Sequence, residues 1–172
     1  DYSNFGFQLL GLALERSTAR ALGDLANEFV FRPAGMTTAS IPQKPGGLKD
    51  GLRDGRSAPA WDEQLGGAGG AIGSIRDLAA YALTMLHPPA ALERAVVSAV
   101  EPRSYFAGGR TGLGWITSRG LTWHDGGSSA YSSLIALNRE TGRAAGFLAA
   151  TGDLDSEAEN LVFQFLGAER DP

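Results

Sequence analysis

Leucine and alanine recur at helical spacing from Phe5 to Phe29, with Leu9, Leu10 and Leu14 followed by Leu22, Leu25 and Phe29. A period near 3.6 residues predicts two consecutive helices there. Asn4 is placed to cap the first, and the second is expected to end at Arg32-Pro33, because proline disfavours helix in the residue before it. Residues 41–64 lose the period and carry four glycines, three prolines and both lysines of the chain, which reads as a long irregular excursion. The cluster Gly66-Gly67-Ala68-Gly69-Gly70-Ala71-Ile72-Gly73 imitates a phosphate loop. Ile72 stands where a third glycine is required, however, and no Gly-Lys-Ser/Thr follows. Ser74 is then a helix cap, with Asp77 favourable in the first turn of a helix over 75–86 that Pro88-Pro89 ends. A short helix over 90–100 follows.

From Gly112 the period shortens to two. Residues 112–118, 121–124, 131–138 and 144–151 read as strands, and Asn138 to Arg143 is a hairpin turn signal. Strands joined so closely pair antiparallel. Asp155 or Ser156 caps a last helix whose apolar face is expected to hold Leu161, Val162, Phe165 and Leu166. The fold class is therefore α+β, with helices first, then an antiparallel sheet, then a C-terminal covering helix.

The chain has 172 residues, 43% of them hydrophobic and 20% charged, which is a globular balance and fits one domain. Its formal charge of −4 argues against a nucleic-acid partner. No apolar run approaches the 18 or so residues of a membrane span. Absence of cysteine excludes disulfides and thiol chemistry. The two histidines, His87 and His124, lack metal-ligand spacing, so neither a metal nor another cofactor is expected.

Two places concentrate chemistry: Tyr2-Ser3-Asn4, and Trp123-His124-Asp125-Gly126-Gly127-Ser128 at a strand end. Each has an ordinary reading alone, as a helix cap and as a polar turn. Gly126 to Ala130 is a near miss to the G-x-S-x-G elbow, which needs a helix after its serine, whereas a strand is expected here. Asp153 and Asp155 read as a solvated helix start, and His87 as a surface residue.

In order along the chain stand Tyr2-Ser3-Asn4 opening a Leu-Leu-Gly helix, Phe31-Arg32-Pro33-Ala34-Gly35-Met36, the glycine cluster running into Ser74-Ile75-Arg76-Asp77-Leu78, Gly112-Leu113-Gly114-Trp115, and His124-Asp125-Gly126-Gly127. Together these resemble the serine β-lactamase and penicillin-recognising hydrolase superfamily, nearest to class C β-lactamases, D-alanyl-D-alanine carboxypeptidases and related esterases. The resemblance implies part of a β-lactamase/transpeptidase-like fold. It also implies an acyl-serine mechanism on β-lactams, D-amino-acid peptides or esters. Tyr2 then matches the tyrosine that acts as or assists the general base, and Asn4 the asparagine that binds the substrate amide. His124 stands at the lysine of Lys-Thr-Gly, and Gly127 supplies an oxyanion-hole N–H. Asp125, Gly126 and Ser128 are the implied substrate-binding residues. An extracytoplasmic location is implied too, with the cytoplasm left open.

The superfamily's nucleophile is the serine of Ser-x-x-Lys. Residues three before Lys44 and Lys49 are Ile41 and Gly46, so no such motif is present. Its nearest imitation, Ser17-Thr18-Ala19-Arg20, offers an arginine that stays protonated. Tyrosine, with a reference pKa of about 10, needs a nearby cation to act as a base, and only His124 is available. Removing the serine of a hydrolytic triad costs on the order of 10⁶ in turnover, so this chain alone is expected to be inert. Residues 1–172 are accordingly expected to be the C-terminal portion of one domain, mainly helical and loop over 1–110, with strands and the last helix over 111–172. Its partners are then a small-molecule or peptide substrate and an N-terminal half carrying Ser-x-x-Lys, without which an apolar helix face or sheet edge lies open. A binding domain that lacks the nucleophile is the alternative, and an unrelated α+β domain remains as a third reading. Asp125, if it faces the site, repels a substrate carboxylate and favours esters or neutral amides. Strand alternation leaves the opposite orientation equally open.

Overall fold

The computed structural model describes residues 2–43, 48–60, 66–106, 109–154 and 156–168. Helix α1 (Asn4–Thr18) leads into α2 (Leu22–Ala26), which continues as a π-helical turn over Asn27–Phe31. The cap of α1 is Ser3, one residue earlier than expected. Its Oγ accepts from the Gly6 amide at 3.0 Å, and Asn4 is the first helical residue. The excursion contains an unexpected hairpin, β1 (Gly51–Arg53) with β2 (Arg56–Ala58), closed by Asp54 and Gly55 at positive φ.

Helix α3 (Gly66–Gly69) lies inside the glycine cluster, and α4 (Ile75–Leu86) and α5 (Glu93–Val100) follow. The cluster serves packing. A Cβ on Gly67 would lie 2.4 Å from the Phe7 carbonyl oxygen, and one on Gly11 would lie 3.2 Å from Gly67 Cα. Only glycine at both positions lets α3 and α1 meet backbone to backbone. The Gly67 amide also donates to Gln8 Oε1 at 3.1 Å.

The large sheet has six strands in sequence order: β3 (Ser104–Phe106), β4 (Gly109–Thr111), β5 (Ile116–Ser118), β6 (Leu121–Gly127), β7 (Ser132–Asn138) and β8 (Arg143–Ala149). All neighbours are antiparallel. Strands β3 and β4 were not expected from the sequence, and β6 runs three residues further than predicted. Helix α6 (Ser156–Phe165) covers one face. Of its two candidate caps, Asp155 lies outside the described residues.

Strand β7 is buried on both sides and sorts the core. Ile135 and Leu137 join α4, α5 and Trp115, while Leu134 and Ala136 join Phe163 and Leu166 under α6. Leu161 and Phe165, expected in the apolar face of α6, are exposed, and Phe163 is buried instead. The Arg143 guanidinium lies 4.8 Å from the Phe165 ring centroid, a cation–π contact at the surface. Leu9, Leu10, Leu14 and Phe5 are exposed, so α1 carries an open apolar face.

Asp77 joins α4 to the segment before it. Ser74 and Asp77 form a reciprocal capping box. The Asp77 carboxylate also accepts from the Thr38 amide at 3.1 Å and from the Thr38 hydroxyl. Burial pushes this carboxyl's pKa up. Hydrogen bonds from the side chains and amides of Ser74 and Thr38 more than reverse that, holding it well below the usual carboxylate range.

Candidate active site

Residues directly opposite in an antiparallel pair share a face. His124 is opposite Ile135 and Gly126 opposite Ser133, so both belong to the α4 face. Trp123 is opposite Ala136 and Asp125 opposite Leu134, on the α6 face. Two contacts confirm the sorting. The Tyr2 and His124 rings lie 6.1 Å apart, whereas Trp123 meets Phe163 at 5.3 Å. Tyr2 and His124 are thus brought together from opposite ends of the chain.

Tyr2 sits just ahead of α1, 65% exposed, with its ring also 5.8 Å from that of Phe7. Phe7 in turn lies against Gly114, where a Cβ would be 3.9 Å from Cζ. Gly114 has φ +78°, which glycine adopts freely. Phe7 had no assigned role in the sequence.

Hydrogen-bond alternation fixes where the backbone of β6 points. The Ser128 amide donates to the Tyr131 carbonyl at 2.8 Å, closing the β6–β7 hairpin with a bonded pair. Gly127, one residue before, therefore turns its N–H away from β7, towards the β5 side. Strand β5 reaches only as far as Trp123, so among the described residues no strand partner meets β6 on that side beyond it. The parity agrees at the other end, where Arg119 and Gly120, both at positive φ, form the two-residue turn between Ser118 and Leu121. A Cβ on Gly127 would meet nothing within 4 Å. This exposed N–H can donate to an anionic oxygen, and His124, whose ring meets that of Tyr2, stands three residues before it on the same strand.

The other sequence candidates divide. Asn4 is exposed in the first turn of α1, near Tyr2 in sequence. Asp125 does not face Tyr2. Its charge instead acts on Glu159 of α6, whose carboxyl is raised by burial first and by Asp125 second. The expected repulsion of a substrate carboxylate by Asp125 loses its geometric basis, since alternation turned the side chain to the α6 face. Ser128 Oγ accepts from the amides of Ala130 at 3.4 Å and Tyr131 at 3.1 Å, so it shapes the turn. Strand β7 follows it, as the argument against a nucleophile elbow requires. Ser17 and Thr18 both donate to the Leu14 carbonyl, and Arg20 pairs with Glu28 at 2.6 Å, so the imitation of Ser-x-x-Lys is the bonded C-terminal turn of α1 and the residues just after it. Among the described residues no group of His, Asp and Glu could hold a metal ion.

The beta-lactamase family model matches residues 1–169. The chain belongs to the beta-lactamase family. This beta-lactamase-family chain is 28% identical over 167 aligned positions to unguisins hydrolase ungD' of Aspergillus campestris, covering 79% of the chain and 30% of that protein. It superposes on a class C beta-lactamase with a TM-score of 0.82 at 14% identity, covering 99% of the chain and 58% of that structure. The beta-lactamase/D-alanine carboxypeptidase from Pseudomonas syringae gives 0.82 at 15% identity, over 99% and 60%. These two likenesses show the fold. The beta-lactamase-family chain spans less than two thirds of the length of each relative.

Proposed function

We propose that the chain contributes Tyr2, Asn4, His124 and the Gly126-Gly127 strand to a serine hydrolase that works through an acyl-serine intermediate, with a Ser-x-x-Lys segment outside this sequence. The observation that carries this reading is the meeting of Tyr2 with His124, three residues along β6 from a Gly127 N–H that turns away from β7 and has no strand partner among the described residues. In the reaction, a serine Oγ attacks the carbonyl carbon of a β-lactam, D-amino-acid peptide or ester. Its proton passes by way of the Tyr2 oxygen to the leaving nitrogen or oxygen as the scissile bond breaks. The carbonyl oxygen takes up negative charge and accepts from the Gly127 N–H. Water then cleaves the acyl-serine and releases an acid. Asn4, close to Tyr2, binds the substrate amide, and a location outside the cytoplasm belongs to the same proposal.

A second reading is favoured by the sequence itself, which lacks Ser-x-x-Lys: a beta-lactamase-like domain that keeps the groove and only binds. Labelling of the full polypeptide with a fluorescent penicillin and a p-nitrophenyl ester separates the two. A covalent adduct mapped to a serine, formed about 10²-fold more slowly in Tyr2→Phe, supports the hydrolase. No adduct with either probe, alongside reversible binding, supports the binding domain.

A further inference from the structure

We propose that the β1–β2 hairpin is the brace that holds the Gly127 amide in place, and that Tyr131 is a positioning residue that locks the brace to the site. The proposal rests on the reading of Gly127 as an oxyanion donor. It goes beyond that reading by assigning a task to residues that lie outside the groove.

Gly127 ends β6, and a short turn from Ser128 to Tyr131 joins it to β7. The Gly127 N–H points away from β7 and has no β5 neighbour, so its direction rests on the last pair of the β6–β7 ladder and on the turn that closes it. Whatever fixes the turn therefore fixes the N–H. Inside the turn, Ser128 supplies three bonds, with its amide to the Tyr131 carbonyl and its Oγ from the amides of Ala130 and Tyr131. Outside it, the hairpin closes on the turn from one side. The Tyr131 hydroxyl donates to the Lys49 carbonyl at 2.7 Å, and the Ser129 hydroxyl to the Pro59 carbonyl at 3.3 Å. These bonds come from the two ends of the hairpin, so they pin it at both feet.

Packing between the two bonds is backbone on backbone. Ala130 is fully buried, and Gly51 lies so close that a Cβ on it would stand 2.1 Å from the Ala130 carbonyl oxygen. No side chain is available there to yield. The hairpin is itself anchored to the segment after β8. The Leu52 amide donates to the Ala150 carbonyl at 3.0 Å, and the Gly152 amide returns a bond to the Leu52 carbonyl at 2.9 Å. Asp153 closes the far end by accepting from the amides of Asp54 at 2.9 Å and Gly55 at 3.4 Å. The turn is thus held between β1 and the strand exit of β8, a rigid frame for a group that must not reorganise as charge develops.

The test uses ¹⁵N relaxation of the Gly127 amide together with turnover, in the full polypeptide. In the wild type the Gly127 order parameter is expected near the rigid value of about 0.85. Tyr131→Phe, which removes only the hydroxyl, should lower it and should reduce kcat about tenfold with KM unchanged, a fraction of the 10² to 10³ that deleting an oxyanion donor costs. Gly51→Ala should do both more strongly. Since Gly51→Ala risks misfolding, Tyr131→Phe decides the matter. An order parameter unchanged in Tyr131→Phe overturns the brace. So does a lowered order parameter with unaltered kcat, because the hairpin would then stabilise the turn without serving the reaction. If the wild type acylates with no probe, the hydrolase reading fails by that result alone, and the order parameters still decide whether the hairpin holds the amide.

Discussion

Replacing Asp77 by asparagine removes a charge and keeps the shape, so its cost can be worked from the bonds the carboxylate makes. Oδ2 accepts from the Ser74 amide at 2.8 Å, the Ser74 hydroxyl at 2.7 Å and the Thr38 hydroxyl, while Oδ1 accepts from the Thr38 amide at 3.1 Å. Asparagine serves best with its oxygen at the Oδ2 position. Its NH₂ then faces the Thr38 N–H, leaving that donor unsatisfied at a cost of about 1–3 kcal/mol. The three remaining bonds lose their charge assistance, and an amide is cheaper to bury than a carboxylate, which partly offsets that loss. A net destabilisation of about 3 kcal/mol follows from these contributions. For a chain of this size each kcal/mol moves Tm by roughly 2–4 °C, so the expected fall is about 6–12 °C at pH 7.

The pH dependence has a definite sign. The folded pKa of Asp77 is depressed, so its stabilisation is complete above the ordinary carboxylate range and is lost as pH falls through the folded value. The gap between wild type and Asp77→Asn should be flat from about pH 5 to 8 and should close only in strong acid. Thermal denaturation followed by circular dichroism across that range measures both quantities. A Tm change under about 2 °C at pH 7, or a gap that widens towards acid, would refute the assignment of Asp77 as the tie between α4 and Thr38.

Asp125→Asn should leave turnover of esters and β-lactams within about twofold and should lower the pKa of Glu159, read by NMR titration, because Asp125 faces α6. A large change in substrate preference would return Asp125 to the groove. Gly67→Ala should destabilise by about 1–3 kcal/mol in urea unfolding, since its Cβ would press on the Phe7 carbonyl. Gly69→Ala, with open space around it, serves as the neutral control, and equal effects would contradict the packing role of the cluster. Ser3→Ala should weaken the start of α1 by about 1 kcal/mol, and Asn4→Ala should not. The reverse order would restore Asn4 as the cap.

The helices and the central hairpins were legible because they are long enough to show a period and are bounded by caps and prolines. Strands β3 and β4 were not, since three residues cannot display alternation. The β1–β2 hairpin was hidden by its exposed Leu52, Arg53 and Arg56, although Asp54-Gly55 is a turn signal and both residues take the positive φ that such a turn needs. The motif order picked out Tyr2 and His124, whose rings the fold brings within 6.1 Å from opposite ends of the chain. The orientation of Asp125 was undecidable from alternation until Trp123 was seen to pack on Phe163. The glycine cluster looked like a ligand loop because its real partner, the backbone of α1, is far away in sequence.

The sheet that follows the chain has a kinetic consequence. Every pairing from β3 to β8 joins neighbours in sequence, so each closes a short loop and can form early. The joints that seat the β1–β2 hairpin close much longer loops. Lys49 and Tyr131 are 82 positions apart, and Asp54 and Asp153 are 99 apart. Assembly is therefore expected to run from the meander to the hairpin joints. A lesion in one of the late joints should yield a molecule with its strand signal intact in far-ultraviolet dichroism and its hairpin unseated, altered without being unfolded.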